Sequence, residues 1–216
     1  MTANPKSWED HYCRDKSILI YPDENLVRML KSFLVNNEVT PNTVALDMGC
    51  GSGRHMCLLQ NLGVDRIFGL DYSINALNIC NNMYKFPLIQ AENRNLPIKT
   101  DSIDIVVSWG SLHYCAKEIF YEAIDEINRI MKKGAVLFGT LRSDKDTFLK
   151  RGKEIGNGTW VTDLDDIKNS VVSFFNEKEL TSAFTKFELF QYGIMERSLI
   201  GDIGKIISHW FFMAEK

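Results

Sequence analysis

From residue 44 to residue 63 an apolar run, VALDM, passes directly into three glycines at alternate positions, Gly49, Gly51 and Gly53, and then into the helical pattern RHMCLLQNLG. Glycines set immediately behind a β-rich run let the backbone turn sharply and press close to a ligand, and the helix that follows aims its free N–H groups at the same point. A strand, a turn and a helix in that order predict an α/β layer structure built on a parallel sheet.

The pattern downstream repeats this alternation. RIFGLD, PLIQAE, SIDIVVSWG and AVLFGTLR read as strands; SINALNICNNMY and EIFYEAIDEINRIMKKG read as the helices between them, the second ended by basic residues and Gly134. SIDIVVSWG is apolar on both faces, as a strand covered on both sides must be. Upstream, residues 21–37 open with Pro22 and repeat Leu26, Met29, Leu30, Phe33 and Leu34 at helical spacing. Residues 143–175 are more polar, with GKEIGNGTW as a loop-like centre, and are expected to form an insertion over the C-terminal edge of the sheet. NEKELTSAF follows as a helix capped by Asn176, and KFELFQYGIMER and KIISHWFFMAEK as two closing strands. One domain is expected over 1–216: an N-terminal helical cap (1–40), a cofactor-binding core (43–142), an insertion serving as a substrate lid (143–175), and a final helix with a β-hairpin (176–216).

A chain of 216 residues with 45% hydrophobic and 11% aromatic residues suits one packed α/β unit and excludes disorder. The formal charge of −3 offers nucleic acid no general attraction. Five cysteines form no CxxC pair, no His/Cys cluster has metal-site spacing, and the N-terminus MTANPKSWEDHYCRDK has no apolar signal region, so reduced thiols in a cytoplasmic protein are expected and no metal is. No run approaches the roughly 18 apolar residues of a membrane span.

Asp71 stands 18 residues beyond Gly53 at the end of RIFGLD, where a carboxylate accepts the hydroxyls of a ribose, so a nucleoside-bearing cofactor is the leading inference. A dinucleotide fingerprint requires a further small residue in the loop, whereas Gly53 is followed by Arg54, His55 and Met56.

LDMGCGSGRH resembles the first motif of the class I S-adenosylmethionine-dependent methyltransferases, a strand with an acid (here Asp47) followed by alternating glycines. The resemblance runs on through Asp71, through AENRNLPIKTDSIDIVVS and through INRIMKKGAVLFGT, and is closest to the small-molecule type that includes the ubiquinone and menaquinone biosynthesis enzymes. It implies a Rossmann-like, seven-stranded, mostly parallel sheet with helices on both faces and an antiparallel last strand inserted beside the fifth. It implies S-adenosylmethionine as cofactor, held by Asp47, Gly49, Gly51, Gly53, Asp71 with Tyr72 beside it, and Glu92 and Asn93 near the adenine. Met48, Cys50 and Trp109 would pack or touch its edges.

The resemblance also places SWGSLHY at the methyl-transfer face, making His113 the candidate base, and folds the segment carrying Trp8, Tyr12 and Tyr21 over the cofactor, where these rings would line the acceptor pocket. Arg142, just past the fifth strand, is a candidate partner for an acceptor carboxylate or phosphate. Cys115 lacks the flanking proline of RNA cytosine methyltransferases, and no Asp/Asn-Pro-Pro-Tyr motif follows SIDIVVS; with the acidic charge, these absences favour a small-molecule acceptor and no nucleic acid. A non-catalytic S-adenosylmethionine-binding regulator and, less well supported, an NAD-dependent oxidoreductase remain the alternatives. The oligomeric state is open.

Overall fold

The computed structural model, which describes residues 5–216, makes the apolar run Val44–Met48 the central strand β1. Parallel neighbours β2 (Arg66–Asp71) and β4 (Ile103–Ser108) flank it; β3 (Leu88–Gln90) lies beyond β2, and β5 (Met131–Ser143) beyond β4. The period of two along each strand divides the core between two faces. Leu46, Met48 and Leu137 meet the apolar side of the helix Lys117–Ile130, here α5, with Phe120, Ile124 and Ile127 buried among them. Ala45, Val136 and Phe138 point the other way, toward Leu26 and Leu30 of α2 (Glu24–Asn36), Met56 and Leu59 of α3 (Arg54–Asn61) and Leu77 of α4 (Ile74–Met83). Asp23 caps α2, its carboxylate accepting the Asn25 N–H, and Ser73 caps α4.

The closing segments form β9 (Leu189–Leu199) and β10 (Asp202–Glu215). β10 runs antiparallel to β5, from His209 opposite Arg142 to Glu215 opposite Val136, and β9 pairs antiparallel along its other edge. The last strand is thus inserted beside β5, in the order β3-β2-β1-β4-β5-β10-β9, as the class I resemblance implies. Ahead of β9, α6 (Glu177–Ala183) begins with a reciprocal cap: Asn176 and Glu179 each accept the other's backbone N–H.

Two expectations need correcting. The sheet has ten strands rather than seven, because residues 143–175 are not loop-like. They form β6 (Lys153–Gly156), β7 (Thr159–Val161) and β8 (Val171–Phe175), the first two joined through Asn157 and Gly158, both at positive φ. All five residues of β8 are buried, and β8 pairs parallel to β5 at Arg142 and Ser143, on the stretch of edge that lies past the end of β4. The second correction is at MKKG, which starts β5 instead of ending α5; the Gly134 N–H closes onto the carbonyl of Lys216 at 2.6 Å.

At the N-terminus, α1 (Pro5–Tyr12) and a short 3₁₀ turn at Asp15–Ser17 lie across the sheet's C-terminal edge, between α4 and a second such turn at Asp165–Ile167 in the insertion. Among the described residues no helix is long and apolar enough to cross a membrane.

Candidate active site

The glycine loop folds back onto β2. The N–H groups of Gly49 and Cys50 both donate to the Leu70 carbonyl, at 2.7 and 3.0 Å, and that of Gly51 to the Asp71 carboxylate at 2.9 Å. Gly49 has φ +74° and Gly51 +53°, and a Cβ would lie 2.3 Å from Cβ of Ser111 at the first and 2.5 Å from Oη of Tyr12 at the second. Both positions therefore require glycine for conformation and for space.

Asp71 also accepts the Ser73 N–H at 2.9 Å. Burial raises its pKa, and hydrogen bonds from the Ser73, Gly51 and Tyr72 backbone work against that rise. Asp71, Tyr72, Glu92, Asn93 and Gly49 share the wall of a narrow cavity of about 160 Å³, so the structure brings together five of the expected cofactor residues. Glu92 is tied to Arg94 Nε at 2.9 Å. Gly51 and Trp109 face a second cavity, while Gly53, with φ +91°, caps α3.

Asp47 lies behind the loop and lines neither cavity. It is wholly buried, neither carboxylate oxygen has a hydrogen-bond partner, and Nδ1 of His55 is 4.0 Å away. Burial pushes its pKa up to about 7; Arg54 opposes that shift and Asp71 adds to it. Two buried carboxylates beneath one loop, one of them orphaned, suit a ligand carrying positive charge and repel a pyrophosphate. S-Adenosylmethionine, with a ribose and with ammonium and sulfonium groups, fits these residues.

α1 roofs both cavities. Glu9 accepts hydrogen bonds from Ser73 Oγ (2.8 Å) and from the Ile74 and Asn75 N–H groups (2.8 and 3.0 Å), clamping α1 to the positive end of α4. On the other side Ser7 Oγ donates to the Lys168 carbonyl, and Asp166 pairs with Arg14 at 2.9 Å and Lys16 at 2.6 Å. Trp8 packs edge-on against Tyr114, ring centroids 4.6 Å apart, and Trp8 and Tyr12 line both cavities. Tyr21 is not brought to the site: its side chain is 78% exposed, and only its carbonyl is engaged, by Arg54.

The larger cavity, about 540 Å³, extends from the glycine loop to Arg142, Arg197 and His209. Arg142 is buried, with Nη1 donating to Asp146 at 2.5 Å. His113 is placed behind this wall. It lines neither cavity, is wholly buried, and has no partner at hydrogen-bonding geometry on either ring nitrogen. Burial, then Arg142 and His209, lower its pKa well below the usual value, and the Thr140 backbone recovers part of the loss, so the imidazole is neutral. The Cys115 thiol is pushed up to about 12 by burial and is unreactive. Glu9, Asp146 and His209 carry no motif. His209 is legible only once strand pairing sets it opposite Arg142, and Glu9 only once α1 meets α4.

Residues 46–139 match the methyltransferase domain family. The chain is 28% identical over 121 residues to the uncharacterized protein MJ1252 of Methanocaldococcus jannaschii, covering 56% of this chain and 45% of that one. It is 28% identical over 98 residues to a mouse protein named probable tRNA methyltransferase 9B, covering 45% and 21%. The chain spans about half the length, or less, of the curated relatives it matches. Among solved structures, an S-adenosylmethionine-dependent methyltransferase of Methanosarcina mazei superposes with a TM-score of 0.69 at 20% identity, over 85% of this chain and 96% of that one.

Proposed function

We propose that this chain, a class I S-adenosylmethionine-dependent methyltransferase by its domain and its fold, moves a methyl group to a small molecule held in the larger cavity. The observation that supports this reading is a shared wall beneath α1. The 540 Å³ cavity lies beneath α1 and shares Trp8, Tyr12, Gly49, Gly110 and Tyr114 with the narrow cavity that Asp71 and Glu92 line. Its size is within the range of about 300–1,000 Å³ usual for small-molecule sites. A nucleic-acid acceptor would have to thread a base under α1, and a net charge of −3 gives its phosphates no general attraction.

Gly49, Gly51, Asp71, Tyr72, Glu92 and Asn93 would hold S-adenosylmethionine, which supplies an electrophilic methyl group on sulfur. The protein's own contribution is alignment and exclusion of water: the loop fixes one reactant, the larger cavity fixes the other, and Trp8, Tyr12 and Tyr114 close over both. Such positioning supplies up to about 7–11 kcal/mol in favourable intramolecular cases. His113 touches neither cavity, so a positioned base is not needed for this reading.

Calorimetry with S-adenosylhomocysteine and NAD, together with turnover of labelled methyl groups on a metabolite panel, tests the proposal. S-Adenosylhomocysteine should bind, NAD should not, and Asp71→Ala should weaken the former by about 10- to 100-fold through lost charge-assisted hydrogen bonds. Full affinity in that variant would refute the ribose assignment. Binding without turnover of any acceptor would make the chain a regulator instead.

A further inference from the structure

Part of the larger cavity's wall is built from a row of side chains on one face of the sheet. Arg142 of β5 stands opposite His209 of β10, His209 opposite Met195 of β9, and Arg197 two residues beyond Met195 on the same face. Arg142 is held by one nitrogen only. The carboxylate of Asp146 accepts Nη1 of Arg142 and the N–H groups of Ser208 and Leu149, so it is filled by three donors, and Nε of Arg142 is buried without a partner. Arg142 lines the cavity, and the guanidinium N–H groups that Asp146 does not take are the ones it can offer to a ligand there.

The row carries two guanidiniums, Arg142 paired with Asp146 and Arg197 without an ion pair among the described residues. The carboxylates in the cavity wall are each engaged: Asp166 by Arg14 and Lys16, Glu196 by Ser208 Oγ, Asp23 by the Asn25 N–H. Burial first, then Arg142 and Arg197, holds the His209 pKa down to about 3, so the imidazole is a neutral neighbour of the two guanidiniums.

We propose that Arg142, His209 and Arg197 form a subsite for an oxyanion, a carboxylate or a phosphate, on the methyl acceptor, fixing the acceptor's far end so that its nucleophile lies toward the glycine loop. As an acceptor subsite it rests on the methyl-transfer reading; as an anion site it rests on the row itself. The commitment is to acidic small molecules as the substrate class.

Protein saturated with S-adenosylhomocysteine is titrated with two matched pairs, 4-hydroxybenzoate with 4-hydroxybenzamide and phenyl phosphate with phenol. At least one anion should bind about tenfold or more tightly than its neutral partner, the worth of one charge-assisted contact. Which pair shows the preference identifies carboxylate or phosphate. Arg142→Lys, which keeps a cation for Asp146, and Arg197→Gln, at an exposed position, should each reduce the preference with S-adenosylhomocysteine affinity unchanged. Equal binding within both pairs, no binding of either anion, or a preference that survives both substitutions would overturn the subsite. Failure of S-adenosylhomocysteine to bind the unaltered protein would overturn the methyl-transfer reading instead, and the anion preference is then read on the cofactor-free protein.

Discussion

Replacing Asp47 with Asn tests the buried charge beneath the glycine loop. The side chain is wholly buried, neither oxygen has a partner, and burial raises its pKa from 3.8 to about 7. A carboxyl that holds its proton more tightly folded than unfolded makes the native state lose stability as pH rises from the ordinary carboxylate range through the folded value. A rise of about three units at about 1.36 kcal/mol each amounts to about 4 kcal/mol in all, of which about 2–3 kcal/mol falls between pH 5 and pH 8. Asn has nearly the same shape and no charge at any pH, so the variant escapes that loss, while the neighbouring His55 titrates alike in both proteins and cancels. Urea unfolding of the cofactor-free proteins at the two pH values measures the difference: the variant should gain about 2–3 kcal/mol on the parent between pH 5 and pH 8. The same variant should bind S-adenosylmethionine less well, because the charge that weakens the empty fold is the one that favours a cationic ligand. Parallel stability profiles for the two proteins would refute the reasoning, since they would mean that the carboxylate is compensated in the folded chain.

Gly49→Ala places a Cβ 2.3 Å from Ser111 Cβ at φ +74°; it should cost more than about 2 kcal/mol in thermal or urea unfolding, and S-adenosylhomocysteine binding should fall with it. Glu9→Gln removes the charge that three donors of α4 surround. It should favour α1 opening by about 1–2 kcal/mol, seen as faster amide exchange in α1 with global stability nearly unchanged; unchanged exchange would remove Glu9 as the clamp. His113→Ala should lower stability by about 1–3 kcal/mol yet leave turnover of the folded enzyme within about tenfold, measured by labelled-methyl transfer; a loss of about 10²- to 10⁴-fold would establish it as the base.

The core of the fold was legible because its determinants are local. A β-rich run, alternating glycines and an acid at the end of the next strand are contiguous signals, and Asn176 with Glu179 announces its own helix. β8 was missed because VVSFF is short, and its burial comes from the exposed end of β5, a tertiary circumstance that no window of sequence contains. MKKG was read as a helix end because its basic residues and glycine imitate one, whereas β5 is extended by pairing with β4 at Met131. The candidate site divides in the same way. Gly49, Asp71, Tyr72, Glu92 and Asn93 come together as the strand order dictates. The resemblance places Tyr21 in the segment that folds over the cofactor and His113 just past the fourth strand, but neither placement fixes where a side chain points: Tyr21 is exposed and His113 is buried in the core.

A single helix, α1, roofs both cavities. With Glu9 fastened to α4 and Asp166 to Arg14 and Lys16 just past the helix, α1 spans the two cavities as one rigid piece, and Trp8 and Tyr12 belong to the walls of each. Under the proposed methyl transfer, neither the spent cofactor nor the product would have a roof of its own, so lifting α1 would uncover both at once. When that motion is slower than transfer, turnover becomes insensitive to how reactive the acceptor is, and residence time is set by side chains that touch neither reacting atom.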